Sequence, residues 1–225
     1  MIHLIKKVGR GLKRLPDRLA YPKPSTTFCR FGSELAGWWI ETEGLDARSN
    51  ILSAGVGEDI TFDLTLIQRF GCHVLAFDPT PKAVAYVERF RPEGRFRFEA
   101  CGVAENDGEI HLAPPDNPHH ASFSLSRYAS SPQSVPFPVK SLKTILAETG
   151  WEAFDLVKMD IEGSEYGVID SIIGDRIPIR QLCVEFHQTI ASEIGRNTQD
   201  SIRQLERYGL RLVYKEYDNY TFLCP

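Results

Sequence analysis

The chain has 225 residues, 42% hydrophobic and 11% aromatic, enough for one substantial core. A net charge of −4 gives no global case for nucleic acid, and the five cysteines form no C-x-x-C pair, which argues against a zinc site or a disulfide framework. No run approaches about 18 apolar residues, and no continuous apolar segment of the secretory type opens the chain, so a reducing cytoplasm is the expected setting.

Residues 1–30 read as a basic arm. Lys6, Lys7, Arg10, Lys13, Arg14, Arg18, Lys23 and Arg30 stand against one acid, Asp17. Ile2, Ile5, Leu12, Leu15 and Leu19 share part of one helical face, and Pro16, Pro22 and Pro24 break any long helix. Such an arm is either solvated, docked on the domain, or in peripheral contact with an anionic inner membrane face. The domain proper is expected over 31–225. It opens with FGSELAGWWI (31–40), whose paired tryptophans are expected to pack, as core or as one wall of a cleft.

Residues 51–81 carry the strongest pattern: strand, glycine turn, helix, strand, acid. Residues 51–54 (ILSA) suit a buried parallel strand. Gly55-Val56-Gly57 follows. Residues 61–70 place Phe62, Leu66 and Phe70 on one helical stripe with Leu64 and Ile67 beside it, and Gly71 ends the helix. Residues 73–77 are a second apolar strand, and Asp78 stands at its end, 23 positions after Gly55. Glycines let backbone approach a ligand closely, and an acid at that spacing accepts from ribose hydroxyls. A dinucleotide fingerprint needs a third glycine, where this chain has Ile60. Glu58 and Asp59 would also repel a pyrophosphate. S-adenosylmethionine, a sulfonium without phosphate, suits an acidic turn better. Ser53, Val56 and Pro79 belong to the same expected cofactor surface, and Ser33 and Glu34 are placed to reach the cofactor's amino-acid end. The bland alternative is a glycine turn in an α/β domain without cofactor.

A helix is expected over 82–91 and a strand over 95–100, ending at Cys101 and Gly102, where an adenine would be flanked. Asp107-Gly108 is a tight turn into a strand over 109–112. Residues 113–139 show no period and read as a loop over the substrate side. His119 and His120 lie in it without ligand spacing, and no metal is expected there. A helix follows over 141–149. Residues 154–159 form a strand that delivers Asp160, Glu162 and Glu165 to its carboxyl end, where ligands bind in open α/β sheets. After a helix over 166–173, a strand over 181–186 brings up Glu185 and His187. His187 is either catalytic or a packed core histidine. A helix over 201–208 precedes strands over 210–214 and 220–223, joined at Asp218-Asn219.

These stretches carry a resemblance. FGSELAGWWI, GVGEDITFDLTLIQRFGCHVLAFDPTP (55–81), VKMDIEGSEYGVI (157–169) and VEFH (184–187) resemble the FkbM-type S-adenosylmethionine-dependent methyltransferases. Lys158 to Glu165 is the most specific piece. The resemblance implies an α/β, Rossmann-like class I methyltransferase sheet, mostly parallel, with an antiparallel C-terminal hairpin strand. It implies methyl transfer to an oxygen of a small molecule, sugar or glycan, with Gly55 and Gly57 lining the cofactor and Asp78 on its ribose. Ser53 departs from the general pattern, because an acid often precedes the glycine turn. Glu34 or Glu58 would have to substitute.

An alcohol must lose its proton as it attacks. His187 is expected to take it, with Glu185 or Asp160 orienting or replacing it, and Asp160 nearest the reacting methyl. A variant of this reading has Asp160 and Glu162 hold a divalent cation that binds a diol. From other classes come a non-catalytic nucleoside-binding module and, disfavoured by Ile60, a nicotinamide dehydrogenase.

Overall fold

The computed structural model describes residues 23–90, 92, 94–114, 123, 134–193 and 195–225. Most of the basic arm, the His119-His120 pair and most of the 113–139 loop therefore lie outside the described residues.

The first strands form a small antiparallel pair, β1 (Phe28–Phe31) and β2 (Trp38–Glu41), so residues 28–30 of the expected arm are strand. Then come β3 (Asn50–Ala54), α1 (Thr61–Phe70), β4 (His73–Phe77), α2 (Pro81–Phe90) and β5 (Phe96–Glu99). A side sheet follows, made of β6 (Gly102–Val103), β7 (Gly108–Leu112) and β8 (Val135–Lys140). The series continues through α3 (Leu142–Thr149), β9 (Leu156–Met159), α4 (Glu165–Gly174), β10 (Gln181–Glu185), α5 (Gln188–Glu193) and α6 (Thr198–Tyr208). It closes on β11 (Arg211–Glu216) and β12 (Asn219–Leu223).

The main sheet runs β11-β12-β10-β9-β3-β4-β5. The strands from β10 to β5 are parallel to their neighbours, and β12 is antiparallel to both β10 and β11. The chain winds outward from β3 to β5, then restarts at β9 on the other side. The carboxyl ends of β3 and β9 thus flank a topological switch point, where a crevice opens.

Strand alternation divides the core. Leu52, Leu75, Val157, Met159 and Val184 face the layer built on α3, α4 and α6. Ile51, Val74, Ala76, Leu156 and Cys183 face α1, α2 and the β1–β2 pair. The same alternation sends Lys158 to the second face, in register with Ser53 and Cys183. Trp38 is core there, 3% exposed.

Three expectations change. Residues 135–139, expected as loop, are strand: Phe137 and Val139 point inward while Pro136 and Pro138 are exposed. Prolines hide a strand from a pattern reading, and they are tolerated because β6 covers only the last two residues of that edge. In α1 the buried residues are Phe62, Asp63 and Leu66, whereas Leu64 is 39% exposed. The final turn lies at Tyr217-Asp218, with Tyr217 at φ 60, and Asn219 already belongs to β12. No helix among the described residues is long and apolar enough to cross a membrane.

Candidate active site

Two clefts meet at the switch point, and Gly55, Gly57 and Asp160 line both. The first lies between the ends of the central strands and the side sheet. Its polar wall holds Asp78, Thr80, Glu162 and Ser164; its apolar wall includes Pro79, Val103, Ile110 and Val139. The second lies beneath the β1–β2 pair. Trp38, Ser53, Val56, Asp63, Lys158 and Glu185 are among its lining residues.

The glycine turn is built against its neighbours. Gly55 adopts φ 76, its N–H donates to the Phe77 carbonyl at 2.9 Å, and a Cβ there would sit 1.6 Å from the Asp160 carbonyl oxygen. Only glycine fits such an approach. The Asp160 N–H in turn donates to the Ala54 carbonyl at 3.0 Å. Gly57, at φ 56, faces open space.

Asp78 is 5% exposed. Its Oδ2 accepts from the Gly57 N–H at 2.9 Å, and its Oδ1 accepts from the Thr80 N–H at 2.8 Å and the Thr80 hydroxyl at 2.6 Å. A carboxylate has about four lone-pair positions. Three are used, so the group holds the turn and keeps one position for a ligand hydroxyl.

At the ends of β9 and β10 stands a cluster around His187. Its Nε2 lies 3.2 Å from Glu162 Oε2 and 3.7 Å from Asp160 Oδ1. Its Nδ1 lies 3.1 Å from Glu165 Oε1, an oxygen that also accepts the His187 backbone N–H at 2.9 Å. Glu165 is fully buried, and its other oxygen accepts from the Gly163 N–H at 2.8 Å. Burial works to lower the His187 pKa. The bond and charge of Glu165, then the charges of Glu162 and Asp160, outweigh it and raise the pKa to about 9. Burial, and then the charge of Asp160, push Glu185 up to about 7. Glu162 holds the left-handed conformation at φ 52, which costs about 1–3 kcal/mol outside glycine and clusters at functional sites.

Ligand atoms of Asp160, Glu185 and His187 lie within 4.8 Å of one another, a spacing that can hold a metal ion. Glu165 on Nδ1 would orient the ring for coordination through Nε2, as carboxylates behind metal-bound histidines do.

The structure thus brings together Asp160, Glu185 and His187, and around the turn Ser53, Gly55, Val56, Gly57, Asp78, Pro79 and Gly102. Cys101 lines neither cleft; its thiol is buried and donates to the Gly102 carbonyl. Glu34 and Glu58 line neither cleft, and Glu58 is exposed. Sequence reasoning missed two residues. Glu165 orients His187 in place of Glu185 or Asp160, and its signal was an acid opening a helix directly after the strand-end acids. Asp63 is the second, an acid on the buried side of α1. Burial pushes its carboxyl up to about 6, while the Lys158 ammonium pulls the other way.

Residues 49–212 match the family model described as Methyltransferase FkbM domain. No curated protein matches the chain.

Proposed function

Because the chain belongs to the FkbM methyltransferase domain family, we propose that it moves a methyl group from S-adenosylmethionine to a hydroxyl oxygen of a small molecule, sugar or glycan. The observation that carries this reading is the His187 cluster, which meets the glycine turn at Asp160. Its base and carboxylates stand at the switch point of a sheet whose strand order and reversed β12 fit a class I methyltransferase. The residues suit the cofactor: Asp78 keeps a lone pair for a ribose hydroxyl, Gly57 opens onto space, and Pro79, Val103, Ile110 and Val139 offer a base an apolar slot.

When bound, this cofactor supplies an electrophilic methyl on a sulfonium sulfur. The chain's own part is to align the acceptor, and alignment can contribute roughly 7–11 kcal/mol. His187 receives the acceptor's hydroxyl proton on Nε2, and Glu165 holds the ring through Nδ1. Three carboxylates keep His187 protonated near neutral pH. A cationic ligand beside Asp160 offsets their field and lowers the His187 pKa, so the base is released when the site fills. Glu185, pushed up to about 7, is the alternative acceptor of that proton.

The test is transfer of labelled methyl from S-adenosylmethionine to a panel of hydroxyl-bearing small molecules and sugars. His187→Ala should lose about 10²- to 10⁴-fold in turnover, the usual worth of a general base. Full turnover by the variant at every pH would remove His187 from that role. Binding without turnover of any acceptor would support a non-catalytic module instead.

The compact Asp160, Glu185 and His187 set favours a second reading, in which a divalent cation held there binds the acceptor oxygens. Activity abolished by strong chelator and restored by added magnesium or manganese would support it. Activity unchanged in chelator would exclude it.

A further inference from the structure

The second cleft contains buried polar groups that the fold itself satisfies only in part. Asp63 and Ser53 are each 1% exposed. Neither Asp63 Oδ1 nor Ser53 Oγ makes a well-aligned hydrogen bond among the described residues, although the Ser53 hydroxyl lies near enough to Asp63 to help hold its carboxyl pKa down. Both line the cleft beside Lys158, which is 6% exposed. Lys158 gives its ammonium hydrogens to the Ala54 carbonyl at 3.2 Å and to the Gly55 carbonyl, and its Nζ stands 5.8 Å from the Trp38 ring centre. A buried polar atom without a partner is costly, so these atoms are suited to a ligand that completes them. The cleft sets a buried carboxylate oxygen and a hydroxyl next to a fixed cation. That is the complement of a zwitterion, an α-amino acid.

We infer that Ser53 and Asp63 bind the α-ammonium of the cofactor's amino-acid end, while Lys158 supplies positive field for its carboxylate. This inference rests on the cofactor reading above. The two clefts share Gly55, Gly57 and Asp160, so one ligand can reach from the nucleoside cleft into this one. The acid absent from strand position Ser53 is supplied from α1, one layer away. The relocation explains why an acid occupies a buried position of that helix, where an apolar residue would pack.

Calorimetric titration of S-adenosylhomocysteine and of 5′-methylthioadenosine, which lacks the amino-acid end, tests this. Asp63→Asn should weaken S-adenosylhomocysteine about ten- to a hundredfold and leave 5′-methylthioadenosine unchanged. Ser53→Ala, which removes a single hydroxyl, should weaken S-adenosylhomocysteine by up to about tenfold with the same selectivity. The thioether nucleoside also reports folding, because a misfolded variant would lose both ligands. If Asp63→Asn misfolds, Ser53→Ala decides the question. Wild type binding both ligands, with folded variants that weaken neither or weaken both in parallel, would overturn the subsite and leave the cofactor reading standing. Wild type binding neither ligand would overturn both.

Discussion

Replacing Glu165 with glutamine isolates the largest influence that sustains the charge on His187. The carboxylate is fully buried and bonds both the Nδ1 and the backbone N–H of His187. A hydrogen bond to a charged group contributes about 1.5–3 kcal/mol, or roughly one to two pKa units at about 1.36 kcal/mol each. The His187 pKa, about 9 in the native chain, should fall to roughly 7–8 in Glu165→Gln. Titration of the imidazole Cε1–H signals by NMR reads this directly, with His187→Ala assigning the resonance. The pH profile of kcat/KM reports the free enzyme's essential base. With His187 in that role, the profile should rise with a midpoint near pH 9 in the wild type, and that midpoint should move down by the same interval in the variant. The shift also enters stability. His187 rises from 6.5 to about 9 on folding, which corresponds to about 3 kcal/mol. The stabilisation is fully present below the unfolded pKa and is lost as pH climbs through about 9. Glu165→Gln should therefore melt lower in mildly acidic buffer and converge with the wild type in alkali. A His187 titration unmoved in a folded Glu165→Gln variant would refute the reasoning.

Asp78→Ala removes the proposed ribose acceptor and the partner of the Gly57 N–H together; calorimetry should show S-adenosylhomocysteine binding one to two decades weaker, and unchanged affinity would place the ribose elsewhere. Gly55→Ala forces a Cβ to within 1.6 Å of the Asp160 carbonyl oxygen at φ 76. Overlap with backbone cannot relax cheaply, so a melting-temperature loss of roughly 10 °C or more is expected by scanning fluorimetry, and an unchanged melt would mean that the β3–β9 junction is looser than described.

How much of this was legible in the sequence depended on periodicity. From β3 to Asp78, apolar strands alternate with a helical stripe, and Gly71 stops α1 with φ 65. Apart from Asp63, buried, and Leu64, exposed, local preference there agreed with tertiary fate. β8 was not legible, because Pro136 and Pro138 look like loop until two neighbouring strands accept them. Asp63 was not legible because an acid within an apolar stripe is ordinarily assigned to the solvent side. Its burial depends on Ser53 and Lys158, which lie 10 and 95 positions away. Glu165 was visible as one acid of a cluster, but its pairing with the histidine that follows β10 is set by the adjacency of β9 and β10. Sequence separation conceals such pairings wherever parallel strands bring distant segments together.

The junction of Gly55 with Asp160 makes the sheet a ruler. Asp78 ends β4, Asp160 follows β9, and β3 lies between them. At about 4.8 Å per strand step, the two acids are held roughly 10 Å apart, and Glu185 on β10 stands one graduation further on. Backbone hydrogen bonds from Gly55 to Phe77 and from Asp160 to Ala54 fix the zero of that scale. The β1–β2 pair and the side sheet border that scale without bearing its marks, so either can change in sequence while the spacing of the acids stays fixed.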